Sequence, residues 1–217
     1  MSSWAKNDIS DRMISVPDDN YSLWFSNGRI KKPVVTPRSW KAVTLMCRKD
    51  VDGGMCIVPD HEIVDMMESG RLVIRDYSDG SLTPNGYDLR IAEIKLADTG
   101  ETHREGTVAI GPGRMFFVST IEHVELPDDV AAQLWTRTSW IRKGLLVGLG
   151  KIDAGFHGTL TFTGFNASSQ AVEVPIGCRF VQMVLEMMHS SCEMTYEKRS
   201  GNYQGQKGIT LAPVAKK

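Results

Sequence analysis

Three observations predict an all-β domain. Nine short runs rich in β-branched and aromatic residues follow one another between Leu82 and Glu197. Turn signals such as Pro112-Gly113, Pro127-Asp128-Asp129 and Pro175-Ile176-Gly177 separate them at regular spacing. Only one segment, after Pro59, carries apolar residues at helical spacing. Many short strands with frequent turns and little helix argue for a β-barrel or jelly roll.

In chain order, residues 1–55 are polar and interrupted by Pro17, Pro33 and Pro37, yet they carry Trp4, Trp24 and Trp40. Tryptophans are unfavourable in water, so this stretch reads as an extension docked on the main domain or on a neighbouring subunit. Val43 to Cys47 is a candidate strand and Asp52-Gly53-Gly54 a turn. Asp60 is a candidate N-cap for a helix carrying Ile63, Val64, Met66 and Met67 and ending at Gly70. Leu72-Val73-Ile74 begins extended structure and Ser78-Asp79-Gly80 turns the chain. The strands expected next are Tyr87 to Leu96, Thr107 to Ile110, Met115 to Thr120, His123 to Leu126, Ala131 to Thr136, Leu145 to Leu149, Thr159 to Phe165, Ala171 to Val174 and Arg179 to Glu186. The end of the chain is rich in Gly and Lys and lacks a core pattern, which by itself predicts a mobile tail. The boundaries that follow are an N-terminal extension at 1–55, a β domain at 56–197 and a tail at 198–217.

Composition narrows the function. The 217 residues are 41% hydrophobic and 24% charged, with a net charge of -1. No apolar run approaches the roughly 18 residues of a membrane span, and the acidic N-terminus does not look like a secretory signal, so a cytoplasmic protein is expected. A nucleic-acid binder usually shows a basic excess, which is missing. Cys47, Cys56, Cys178 and Cys192 lack Cys-x-x-Cys spacing and read as buried or semi-buried thiols. That spacing excludes the zinc-dependent base deaminases, which need a His/Cys ligand set.

The stretch from Arg137 to Asn166 concentrates the chemistry. Arg137, Thr138, Ser139 and Arg142 supply the cationic and hydroxyl donors that a phosphate chain needs. A glycine-punctuated apolar run leads to one acid, Asp153, and then to Phe156. On residue type alone, Arg137 is equally a salt-bridge partner, Asp153 a turn residue and Phe156 a core aromatic. Asp88, on a predicted strand near Arg90, reads as half of a structural ion pair, and Gln182 as an inward amide that needs a partner.

Six motifs in order resemble the dCTP deaminase/dUTPase superfamily. They are Asn85 to Arg90, Pro112-Gly113-Arg114, Val124 to Asp129, Arg137 to Phe156, Gly177 to Gln182 and Asn202 to Gln206. The resemblance implies a distorted β-barrel or jelly roll of the dUTPase-like (β-clip) type, assembled as a homotrimer with active sites between subunits and a Mg²⁺-bound triphosphate. By the same resemblance Asp153 activates water. Arg137, Thr138, Ser139, Gln182, Tyr203 and Gln206 hold the phosphates, while Phe156 and Ile152 meet the deoxyribose and base. Arg142 and Asp88 are accessory, Asp88 through a Mg²⁺-bound water. Mg²⁺ itself is held by substrate and water without a direct protein ligand, and the tail closes over the site as a lid.

Deaminases of the family carry a Glu ten residues after this Asp, and here that position is Thr163. A threonine hydroxyl cannot serve as the general base, because its pKa lies far from the operating pH. Hydrolysis of dUTP to dUMP and pyrophosphate is therefore expected, as in the archaeal-type dUTPases that this chain resembles most. The alternatives are a dCTP deaminase, a bifunctional deaminase/dUTPase and a non-catalytic deoxynucleotide sensor. Two departures stand out: Thr138-Ser139-Trp140 replaces Ser-Ser-Leu, and the segment between Arg142 and Asp153 is short.

Overall fold

The computed structural model describes residues 56–214, together with the backbone of β1 (Arg12–Ser15), β2 (Ser22–Ser26) and β3 (Arg29–Ile30). The chain divides into two compact units, Met1–Gly54 and Met55–Lys217. The three N-terminal strands form an antiparallel sheet in the order β1-β2-β3. The expected strand at Val43 to Cys47 and the turn after it lie outside the described residues.

The second unit is built on a curled ten-stranded sheet. Its main path joins β13 (Leu145–Gly148), β16 (Thr161–Asn166), β10 (Met115–Thr120), β7 (Gly86–Leu96), β18 (Arg179–Met187), β12 (Val130–Thr136) and β14 (Lys151–Ile152). Three short strands attach to it: β4 (Cys56–Ile57) pairs with β18, and β6 (Leu82–Thr83) and β8 (Thr102–His103) pair with β7. A second sheet joins β15 (His157–Gly158), β11 (His123–Glu125) and β5 (Val73–Arg75), while β17 (Val172–Pro175) pairs with β9 (Thr107–Ile110). All nine expected strands are present to within about two residues, and every pairing is antiparallel.

Alternation along the strands sets the core. On β10 Phe116 and Val118 are buried while Met115 is exposed, and β16 buries Phe162 and exposes Phe165. Where the ring of Phe116 crosses β16 the sequence has Gly164, and a Cβ there would lie 2.2 Å from Phe116 Cζ. The glycine is the space the ring occupies.

α1 spans Asp60–Glu68 and buries Ile63 and Met66. Its N-cap is Pro59 rather than the expected Asp60, and its C-cap is Ser69. Asp60 is the first helical residue; its carboxylate accepts from His61 N at 2.7 Å and complements the positive end of the helix. Two one-turn helices, α2 (Thr138–Ile141) and α3 (Tyr196–Arg199), have too few residues for hydrophobic periodicity to reveal. Among the described cysteines, Cys178 and Cys192 are half-buried but Cys56 is exposed, because the sheet-edge strand β4 leaves that residue uncovered. Burial pushes the Cys178 thiol up to about 11, which makes it unreactive at neutral pH.

The C-terminal segment is the main departure from the simple sequence reading. It lies against the sheet through polar contacts, which leave no trace in a hydrophobic pattern. Gly205 N donates to His157 O (2.8 Å), Thr159 N to Gln206 O (3.0 Å), Ile209 N to Glu93 Oε1 (2.9 Å) and Thr210 N to Thr161 Oγ1 (3.0 Å).

Candidate active site

Arg137 stands where β12 ends and α2 begins, with its backbone N donating to Phe180 O at 3.1 Å. Arg137 Nε lies 2.9 Å from Asp88 Oδ2, and Arg179 Nη1 lies 3.5 Å from the same oxygen. The Asp88 side chain is only 4% exposed, whereas Arg137 and Arg179 keep 30% and 42% of their side-chain exposure. One buried carboxylate between two half-exposed guanidiniums leaves a net positive charge facing outward. Burial raises the Asp88 carboxyl above the ordinary carboxylate range, and Arg137 and then Arg179 pull it back only partly. The ion pair expected for Asp88 therefore exists, but not with Arg90. That arginine instead bonds Glu122, Nε to Oε1 at 2.6 Å.

Trp140 explains the departure at the hydroxyl motif. Its ring is buried beside Phe180, and its indole N–H donates to Arg179 O at 2.9 Å. Arg137 Nη1 donates to the same carbonyl at 3.3 Å. A leucine could pack here but could not donate, so the tryptophan adds a tether between α2 and β18. Thr138, Ser139 and Arg142 are exposed around this turn. Gln182 lies opposite Asp88 on β7 and Trp135 on β12, and its amide donates to Thr83 Oγ1 at 2.8 Å. The partner that an inward amide requires is thus a side chain of the same protomer.

Asp153 is exposed on the turn after β14. The turn closes through Phe156 N to Asp153 O at 3.1 Å. Ile152 and Phe156, expected against the base and sugar, are 3% and 5% exposed and belong to the hydrophobic core. Phe156 meets Tyr196 edge to face at 5.6 Å, so in the protomer the two residues support the turn from beneath rather than offer an open face. Tyr203 is 37% exposed, and Gln206 is buried, its Nε2 donating to Thr159 O at 2.7 Å. One hydrogen of the Gln206 amide helps to anchor the tail.

Thr163 lies on β16 between Phe117 of β10 and Gly148 of β13. Residues directly paired across antiparallel strands share a face. The face around Thr163 is therefore made by Met115, Phe117, Thr161, Phe165, Leu146 and Gly148, with no carboxylate. The acid farther across that face is Glu93, paired with Ser119. It is held by Ile209 N at 2.9 Å, Ser119 Oγ at 3.3 Å and Arg104 Nη2 at 2.9 Å.

Comparison with known proteins places this arrangement. A family model described as dCTP deaminase-like matches residues 57–188. The chain belongs to the dCTP deaminase-like family. A relative named dCTP deaminase, from Thermococcus kodakarensis, is 36% identical over 146 residues, covering 65% of this chain and 90% of its own. A protein named probable deoxyuridine 5'-triphosphate nucleotidohydrolase, from Sulfolobus islandicus rod-shaped virus 1, is 32% identical over 158 residues, covering 72% of this chain and 98% of its own. Among solved structures, 2'-deoxycytidine 5'-triphosphate deaminase from Agrobacterium tumefaciens superposes with a TM-score of 0.55 at 18% identity, over 63% of this chain and 49% of that one. That likeness concerns the fold. Members of this dCTP deaminase-like family are nucleotide-metabolising enzymes, and both reactions are represented among the named relatives.

Arg179, Glu93 and Gln204 were not singled out from the sequence. Arg179 and Gln204 fall inside recognised motifs, so the signal was available. Glu93 lies in a strand with nothing local to mark it.

Proposed function

We propose that this chain is a dUTP diphosphatase, hydrolysing dUTP to dUMP and pyrophosphate. The observation that carries the reading is the face around Thr163. Its immediate neighbours are Phe117 and Gly148, and Glu93 is occupied by three donors, so no carboxylate stands ready for proton transfer to the base. Asp153, exposed on its turn, is then the acid available to orient and deprotonate water for in-line attack on the α-phosphorus.

Arg137, Thr138 and Ser139 bind the β- and γ-phosphates, with Asp88 fixing the guanidinium; Arg142 and Tyr203 are accessory. Gln182 and Gln206 each give one amide hydrogen to a partner in the protomer, Thr83 Oγ1 and Thr159 O, and keep the second hydrogen and the carbonyl oxygen for the phosphates. The described residues contain no group of three or more His, Cys, Asp or Glu that could hold a metal. With Arg137, Thr138 and Ser139 serving the phosphates directly, a Mg²⁺ carried by the triphosphate oxygens and water would neutralise charge developing on the phosphates.

A second copy of the chain completes the site. Ile152 pairs with Ala132, which sets Asp153 opposite residue 131, six residues along β12 from Arg137. At ~3.3 Å per residue the backbones at these two positions lie about 20 Å apart in one protomer, a long span for one triphosphate to bridge. Sites shared between copies, as in a homotrimer, bring them together. Leu146, Phe165 and Met115, cross-strand neighbours on one face, are 56%, 42% and 43% exposed and fit such burial.

The named deaminase relatives favour a second reading, dCTP deamination, which would need a carboxylate supplied from outside this face. Incubation with dUTP and with dCTP, each with Mg²⁺, while following pyrophosphate and ammonia separately, distinguishes them. Pyrophosphate from dUTP is expected, and Asp153→Asn should reduce it by roughly 10² to 10⁴ with binding retained. Ammonia from dCTP would overturn the assignment, and tight binding without either product would indicate a sensor.

A further inference from the structure

The turn that carries Asp153 is gripped by two parts of the C-terminal segment. On one side Thr195 stands against Gly155: a Cβ at Gly155, whose φ is +80°, would lie 2.5 Å from Thr195 Cβ. Tyr196 N donates to Ala154 O at 2.9 Å. On the other side is the side-chain amide of Gln204. Its Nε2 donates to Gly155 O at 2.9 Å and lies 2.8 Å from His157 Nδ1, while its Oε1 accepts from His157 N at 3.2 Å.

These partners fix the amide. A backbone carbonyl at one end and a backbone N–H at the other permit one orientation, with Nε2 toward Gly155 O and His157 Nδ1 and Oε1 toward His157 N. Gln204 thus bridges the residues on both sides of Phe156, two and four positions beyond Asp153. The rest of the tail does not depend on it. Gly205, Gln206, Ile209 and Thr210 have their own bonds to His157, Thr159, Glu93 and Thr161.

We propose that Gln204 is a positioning residue for Asp153, coupling the docked tail to the turn that presents the water-activating carboxylate. The inference rests on the role given to Asp153 above. Without Gln204 the tail stays docked through its remaining bonds, while the turn loses the bridge that fixes its shape. A displacement near 1 Å costs roughly 10²-fold in rate, so the loss falls on kcat.

Gln204→Leu, which keeps the bulk and removes the amide, tests this in the full-length protein. The expected result is a 10- to 100-fold fall in kcat for pyrophosphate release, a KM for dUTP within about threefold of wild type, and no further loss when Gln204→Leu is added to Asp153→Asn. Hydrogen exchange at the His157 amide, read without substrate, should accelerate in the variant while Ile209 stays protected. A raised KM with unchanged kcat would make Gln204 a nucleotide ligand and overturn the proposal, as would unchanged exchange at His157. Wild-type protein that releases no pyrophosphate would overturn the role of Asp153 and the catalytic role of Gln204 with it, whereas accelerated exchange at His157 would still establish the bridge.

Discussion

Asp88→Asn separates what the buried ion pair contributes to stability from what it contributes to phosphate binding. Removing one partner of a buried pair costs about 3 to 5 kcal/mol when the other stays buried. Arg137 and Arg179, however, retain 30% and 42% exposure, so both guanidiniums can rehydrate. Burial has also raised the Asp88 carboxyl above 3.8 despite the two arginines. A raised folded pKa favours the protonated form: its stabilising contribution is complete at low pH and is lost as pH climbs through the folded value. At pH 7 the ionised carboxylate is therefore a net cost, and an uncharged isostere should leave stability within about 1 kcal/mol of wild type or raise it. For a chain of this size that is a change in Tm of about 2 to 4 °C.

Binding moves the other way. The bond from Arg137 Nε loses its charge assistance, falling from about 1.5–3 to about 0.5–1.5 kcal/mol. A loss near 1.4 kcal/mol corresponds to about tenfold in affinity. Thermal melting at pH 7 beside steady-state pyrophosphate release should therefore show an unchanged or higher Tm with a KM about tenfold higher. A Tm lower by more than about 8 °C with KM unchanged would refute the reasoning. It would make the pair a support of the fold and take Arg137 out of the phosphate site.

The other expectations concern the scaffold. Gly164→Ala drives a methyl into the ring of Phe116 and should destabilise the protein by at least about 1 to 3 kcal/mol, measured by urea denaturation; a neutral result would mean the ring can move aside. Burial, then Arg75 and, to a smaller extent, His157, whose ring lies 6.2 Å away, lower the His123 pKa from 6.5, although Glu125 opposes them. The stability this contributes is present above about pH 6.5 and is lost as pH falls through the lowered folded value. Wild-type Tm should accordingly decline on acidification below neutrality, and His123→Gln should flatten that decline; equal slopes would assign the acid sensitivity elsewhere.

The strands were legible because period-two alternation states which residues face the core, as Phe116, Val118 and Phe162 do. β14 and β15 escaped notice because two residues cannot show a period. The tail was misleading for a different reason. Its anchors pair backbone groups with Glu93 and Thr161, residues far away in sequence, and polar contacts of that kind have no local signature. At the site, charge and hydroxyl content pointed to Arg137 and its neighbours, and motif order pointed to Asp153. Which arginines share Asp88 is a matter of register, with Gln182 opposite Asp88 and Arg179 opposite Arg90 across β18 and β7, and only the paired sheet reveals it.

The same register separates position 163 from the residues that anchor the C-terminal segment. Glu93, Ser119 and Thr161 form one row across β7, β10 and β16, and Ile209 and Thr210 bond to its two ends. The next row is Lys95, Phe117, Thr163 and Gly148. The tail is fastened to the first row, and Thr163 lies in the second. The residue at position 163 can therefore vary while Glu93 continues to hold Ile209. Asp153 depends on neither row; its turn is held by Thr195, Tyr196 and Gln204. Of the two residues at the ends of the anchoring row, Glu93 lies on β7 and Thr161 lies on β16 two positions before Thr163, so neither anchor depends on what stands at position 163.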